Sequence, residues 1–131
     1  MTHTPPPPLK ALIVDDEDLV RNAVAMVLRR NQFEAIAVSS GEQGREACRK
    51  NTFDIILTDL VMPQMDGVEF IQALRADGIT TPIITFTGGA RVGHQNLSSQ
   101  AIESGACLTL RKPVNKQQLL DAIATALEIS R

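Results

Sequence analysis

The sequence contains no tryptophan and no tyrosine, and only four of its 131 residues are phenylalanine. Proteins that hold single strands of nucleic acid stack the bases on aromatic side chains, and this chain offers no such platform. The formal net charge is −2 at pH 7, with lysine and arginine interleaved with acids, so no basic patch is predicted. Direct nucleic-acid binding is therefore not expected.

Cysteine and long apolar runs are also scarce. The two cysteines, Cys48 and Cys107, are far apart and form no C-x-x-C motif, which favours a reduced intracellular protein. No apolar run approaches the length that spans a bilayer, and the N-terminus has no apolar signal region. These absences predict a cytoplasmic protein without membrane insertion.

The N-terminus is unusual in having four consecutive prolines, at positions 5–8. Such a run favours an extended polyproline arm, because proline cannot join a helix interior or a central strand. The remaining length suits one domain with a single core. We therefore expect a proline-rich leader over residues 1–9, one domain over residues 10–131, and no output domain.

Short apolar runs alternate with amphipathic helical patterns throughout this domain. Buried strands are predicted at residues 12–14, 33–38, 55–57, 82–86 and 106–110, each followed by a helix. Strands alternating with helices over short connections require parallel pairing and right-handed crossovers. The sequence predicts an α/β fold, a doubly wound five-stranded parallel sheet with five helices.

Polar residues follow four of these strands. Asp15 and Asp16 follow the first, Asp59 the third, Thr87 the fourth and Lys112 the fifth. Any one of them alone is explained as a turn or cap residue, but parallel strands bring all of them to one edge of the sheet. Converging carboxylates repel one another, and a hard cation such as Mg²⁺ relieves this repulsion while it keeps positions for phosphoryl oxygens.

Together these groups predict a clamp for a transferring phosphoryl group. A carboxylate would be the acceptor, an ammonium would supply positive charge and a hydroxyl would donate a hydrogen bond.

At this point the sequence resembles the receiver domain of bacterial response regulators, from about Lys10 to Ile129. The resemblance is carried by Val14-Asp15-Asp16-Glu17, Thr58-Asp59-Leu60-Val61-Met62-Pro63, Asp66-Gly67, Thr87-Gly88 and Lys112-Pro113. It implies a flavodoxin-like fold with strand order 2-1-3-4-5. It also implies a signalling protein rather than an enzyme, which passes a conformational change to a downstream protein partner.

The resemblance implies roles for individual residues. Asp59 would accept a phosphoryl group from the phosphohistidine of a histidine kinase or a histidine phosphotransfer protein. Asp16, Asp59 and the backbone carbonyl of Val61 would ligate Mg²⁺, for which Mn²⁺ is a substitute, and Asp15 would act mainly through bound water.

The phosphoryl-binding and switch positions implied by the resemblance are Thr87, Gly88 and Lys112. Where the family often has a switch aromatic, this chain has Thr109, and the segment from Gly88 to Gln95 is glycine-rich and longer than usual. Because glycine lowers the cost of rearranging backbone, we expect ordering of this segment to act as the switch.

Several alternatives stay open at this point. An Mg²⁺-dependent aspartyl-phosphate phosphohydrolase would want an acid where Val61 stands, and a flavin binder would not place three acids, residues 15–17, beside a phosphate. A receiver-like scaffold without phosphoryl chemistry would not need the full acid set. The chain is either a stand-alone receiver or a piece of a larger response regulator or hybrid kinase.

Overall fold

The computed structural model describes residues 8–88 and 97–129, which form five strands and five helices in alternation. Along the chain they are β1 (Leu9–Val14), α1 (Asp18–Arg30), β2 (Phe33–Val38), α2 (Gly41–Lys50), β3 (Ile55–Asp59), α3 (Gly67–Ala76), β4 (Ile83–Gly88), α4 (Leu97–Glu103), β5 (Leu108–Lys112) and α5 (Lys116–Ile129).

All four neighbouring strand pairs are parallel, and the strand order is β2-β1-β3-β4-β5. The predicted fold class and strand order are confirmed. Strand β3 lies in the centre, and all five of its residues are buried. Its last residue, Asp59, is therefore a carboxylate held inside the protein.

The two faces of the sheet bury separate apolar clusters. On one face, Ile55 and Leu57 pack with residues of α1 and α5. On the other face, Ile56 packs with residues of α2, α3 and α4. Because side chains alternate along a strand, Asp59 shares the parity of Ile55 and Leu57 and belongs to the α1 and α5 side.

Side chains cap the starts of three helices. Asp66 and Glu69 form a reciprocal capping box at α3, and Asn115 and Gln118 exchange the same two bonds at α5. At α2 only one half of such a box forms. Ser40 accepts a bond from the Gln43 backbone, but the Gln43 side chain accepts from the preceding serine instead, whose N–H and hydroxyl are both donors.

Strand boundaries differ from the predictions at both ends of the chain. Strand β1 begins at Leu9 because it pairs with all six residues of β2, from Leu9 opposite Phe33 onward. Strand β5 runs to Lys112, which is paired with Gly88, rather than stopping at residue 110. Lys112 is thus the last residue of a strand, and the ladder fixes the position of its backbone.

Gly67 joins helix α3 closely to the end of β3. A Cβ at this position would lie 2.5 Å from the Asp59 carbonyl oxygen and 2.7 Å from the Leu60 Cα. Both neighbours are backbone atoms, so only glycine fits without a shift of the main chain. This contact holds the first turn of α3 against the strand that carries Asp59.

Candidate functional site

The carboxyl edge of the sheet brings three acids and one lysine together. Asp15 directly follows β1, and its backbone N–H donates to the Val38 carbonyl at 3.1 Å, which ties it to the neighbouring strand. Asp59 ends β3, and Lys112 ends β5. The third acid is Glu17, the N-cap residue of α1.

The Lys112 ammonium lies at the centre of this group. Its Nζ is 3.0 Å from Asp15 Oδ2, 3.2 Å from Asp59 Oδ2 and 3.4 Å from Glu17 Oε1. Asp15 and Asp59 are buried, at 1% and 3% exposure, whereas Glu17 is exposed. The site therefore has an interior pair of carboxylates and one carboxylate on the solvent side.

Burial and mutual repulsion affect the pKa values of Asp59 and Lys112. Burial, followed by the negative charge of Asp15, raises the pKa of Asp59, and the Lys112 ammonium offsets this only in part. For Lys112 itself burial lowers the pKa, but the hydrogen bonds and charges of Asp15 and Asp59 outweigh burial and raise it. The site thus favours the charged form of Lys112 and disfavours the ionised form of Asp59.

The donor set fits a hard divalent cation. One oxygen from each of Asp15, Glu17 and Asp59 lies within 4.8 Å of the others. Asp15 Oδ2, although close to the ammonium, accepts no well-directed hydrogen bond from the described part of the chain. This oxygen can still accept a hydrogen bond or bind a cation. Carboxylate oxygens of this kind are ligands that Mg²⁺ prefers.

Two predicted metal ligands are placed differently from this cluster. Asp16 is exposed and is not among the three carboxylates that lie within reach of one another. Val61 lies close to Asp59, because its N–H donates to Asp59 Oδ1 at 3.4 Å. Glu17 was missed as a member of the site. Its signal in the sequence was its place as the last acid before the first residue of a helix.

The predicted phosphoryl-binding and switch residues lie on β4 and β5. Thr87 is half-buried near the end of β4, and Gly88, which ends the strand, is exposed. Thr109 is on β5, where its hydroxyl is 2.9 Å from that of Thr85. The predicted switch segment falls mainly on residues 89–96, which lie outside the described residues.

A groove of about 550 Å³ opens beside the carboxylate cluster, between the start of α1 and the ends of β4 and β5. Its lining is mostly apolar but includes both Glu17 and Lys112. Leu19, on the first turn of α1, also lines the groove and is 87% exposed. The groove thus connects the buried charges with an apolar surface.

A family model described as the response regulator receiver domain matches residues 11–124. The chain belongs to this family. Among curated relatives, the transcriptional regulatory protein SrrA of Staphylococcus aureus is 36% identical over 109 residues, which are 83% of this chain and 44% of that protein. The chain therefore spans less than half the length of the curated relatives it matches.

Solved structures agree with the family assignment. A response regulator receiver domain protein from Clostridium thermocellum is 28% identical, with a TM-score of 0.84 over 92% of this chain and 95% of that one. The crystal structure of FixJ-N is 32% identical, with a TM-score of 0.82 over 92% and 94%. Receiver domains belong to two-component signalling, so the prediction of a signalling domain is confirmed at that level.

The described residues contain no helix that is both long and apolar enough to cross a membrane.

Proposed function

We propose that this receiver domain accepts a phosphoryl group on Asp59 from the phosphohistidine of a histidine kinase or a histidine phosphotransfer protein. The observation that carries the proposal is the buried Asp59 carboxylate at the end of β3, 3.2 Å from the Lys112 ammonium, in a chain of this family. The raised pKa of this buried carboxyl beside a cation supports a functional role for Asp59 over that of a turn cap.

In the proposed transfer, one Asp59 oxygen attacks phosphorus while the bond from phosphorus to the imidazole nitrogen breaks. The new bond is an acyl phosphate, and the electron pair of the broken bond stays on the imidazole, which takes up a proton. Negative charge on the transferring group rises close to Lys112, whose ammonium compensates it. Thr87 and Gly88, at the end of β4, are the proposed donors to the phosphoryl oxygens.

The proposed cofactor is Mg²⁺, with Mn²⁺ as a substitute. Asp15, Asp16, Asp59 and the Val61 carbonyl are the proposed ligands, with Asp15 acting mainly through water. When bound, the ion would neutralise carboxylate charge and compensate the phosphoryl oxygens. The closeness of the Asp15 and Asp59 carboxylates, and the Asp15 oxygen without a well-directed hydrogen bond, support the Asp15 and Asp59 part of this proposal.

The proposed partners are proteins on both sides of the transfer. A donor histidine must approach Asp59 from the carboxyl edge, where the apolar groove beside Lys112 gives a partner helix a surface to contact. The downstream target is a protein that recognises the phosphorylated conformation, and the proposed compartment is the cytoplasm. No direct nucleic-acid contact by this domain is proposed.

The receiver can act alone or as part of a larger response regulator or hybrid kinase. The curated relatives, more than twice as long as the matched segment, are compatible with the second arrangement. The family match gives no support to the phosphohydrolase alternative.

The test is incubation with acetyl phosphate and Mg²⁺, followed by intact mass and site mapping. The parent protein should gain one phosphoryl group on Asp59, and Asp59→Asn should gain none. Asp121→Asn, a matched change on the exposed side of α5, should behave as the parent does. Phosphoryl uptake on another aspartate in the Asp59→Asn protein would contradict the assignment.

A further inference from the structure

Lys112 shares its ammonium among three carboxylates, and the third of them, Glu17, has no role in the transfer proposed above. The distances from Nζ are 3.0 Å to Asp15, 3.2 Å to Asp59 and 3.4 Å to Glu17. Glu17 Oε1 accepts a hydrogen bond from the Lys112 ammonium, whereas Asp15 Oδ2 accepts no well-directed one from the described residues. A phosphoryl oxygen that pairs with Lys112 therefore competes with Glu17 for the ammonium.

The carboxylate that is easiest to displace is the one on the solvent side. The side chains of Asp15 and Asp59 are 1% and 5% exposed, whereas that of Glu17 is 51% exposed. Water can solvate a released Glu17 carboxylate but not the two interior ones. Glu17 is thus the exchangeable partner of the ammonium.

Two hydrogen bonds fix the backbone of Glu17 and therefore the position of its Cα. Its N–H donates to Asp15 Oδ1 at 2.9 Å, and its carbonyl accepts from the Arg21 N–H at 2.9 Å. Glu17 is also the N-cap residue of α1, yet its side chain makes no capping bond to the helix. The carboxylate points to Lys112 instead.

We propose that Glu17 is a positioning residue that holds Lys112 while Asp59 carries no phosphoryl group. Glu17 and a phosphoryl oxygen compete for the Lys112 ammonium, so the Glu17–Lys112 ion pair lowers the affinity of the site for the phosphoryl group. Glu17 also lines the groove beside the site, where its charge opposes an entering anion. The inference rests on the proposed function and adds regulation of the same site.

The test measures the affinity for beryllofluoride, a phosphoryl mimic, in the presence of Mg²⁺ by ¹⁹F NMR. Glu17→Gln should bind it about fivefold more tightly, the effect of removing a partly exposed ion pair. The advantage should shrink as salt is raised, because salt screens this interaction, whereas a purely structural role would show no such dependence. Glu34→Gln, the same charge change on exposed residue 34 of β2, should match the parent.

The outcomes separate this inference from the proposed function. If the parent binds beryllofluoride and Glu17→Gln binds it no more tightly, Glu17 does not restrain Lys112. A gain in affinity that is independent of salt would also overturn the inference. If neither protein binds the mimic and neither takes up phosphoryl groups from acetyl phosphate, the proposed function fails, and this inference fails with it.

Discussion

The protein pairs its charges in two different ways, at the carboxyl edge of the sheet and between helices α2 and α3. In the helix pair, Arg45 Nε and a terminal nitrogen meet the two Asp77 oxygens at 2.6 Å and 2.7 Å. The distances from Lys112 Nζ to its three carboxylates at the sheet edge are longer, at 3.0–3.4 Å. We nevertheless expect the longer Lys112 contacts to have the larger effect on stability.

The carboxylates of the two regions respond in opposite directions. The hydrogen bond from Arg45 lowers the pKa of Asp77, whereas burial and the charge of Asp15 raise the pKa of Asp59. Water solvates the helix pair, and the apolar faces of the sheet exclude water from the second group. Burial rather than bond length therefore decides the direction of the pKa shift in each carboxylate. The ionised form of the buried Asp59 is destabilised, and a bound cation would relieve this.

The largest effect is expected from removing the cation of the buried group. Lys112→Met keeps an unbranched side chain, one heavy atom shorter, but leaves Asp15 and Asp59 facing each other without a positive charge. Removing one partner of a buried pair typically costs several kcal/mol, so we expect a loss of about 3 kcal/mol in the free energy of unfolding at neutral pH. Urea or thermal unfolding measures this loss.

A double variant controls for lost packing. Lys112→Met combined with Asp59→Asn removes the repulsion as well as the cation, so it should recover part of the lost stability. Addition of Mg²⁺ should also stabilise Lys112→Met more than the parent, since the ion replaces the missing charge. A double variant as unstable as Lys112→Met alone would show that the loss comes from packing.

The next effect in size concerns Asp59 and depends on pH. Because the folded state raises the pKa of Asp59 above its usual 3.8, the folded protein binds this proton more tightly than the unfolded chain does. Stability from this group is therefore complete below the unfolded pKa and is lost as pH rises through the folded pKa.

Asp59→Asn has no charge to lose and should be more stable than the parent at neutral pH without Mg²⁺. We expect a gain on the order of 1 kcal/mol, or about 4 °C in melting temperature for a domain of this size. The gap between the two melting temperatures should narrow as pH falls through 3.8, the ordinary pKa of Asp59, because well below it Asp59 is protonated in both states. A gap that persists at low pH would exclude ionisation of Asp59 as its cause.

The sequence was sufficient to predict the parallel sheet, because alternation of strands and helices leaves few other arrangements. It also predicted that Asp15, Asp59 and Lys112 would converge, since parallel strands bring their carboxyl ends to one edge. The end of β5 was placed too early. The last residues of this strand are held by pairing with β4, where Gly88 lies opposite Lys112. Local strand propensity does not encode such a tertiary contact.

The choice between neighbouring acids could not be made from the sequence. Asp16 and Glu17 are adjacent, and both follow a buried strand, so composition does not say which of them faces Lys112. The direction is set by the turn into α1, where the N–H of Glu17 bonds to Asp15 Oδ1 and Asp16 is left exposed. Three-dimensional turn geometry therefore decided which acid joined the cluster.

The smallest effect is expected from removing the exposed ion pair between α2 and α3. This variant tests whether short bonds without burial contribute to stability. Arg45→Gln removes both short bonds to Asp77, but water replaces them and the freed side chains regain rotamer freedom. We expect little or no change in melting temperature, and any change should vanish in high salt because these charges are screened. The parent and Arg45→Gln can be melted side by side with Lys112→Met in low and high salt. If Arg45→Gln loses as much stability as Lys112→Met, then short bonds rather than burial govern the two groups, and the contrast drawn from Asp77 and Asp59 is wrong.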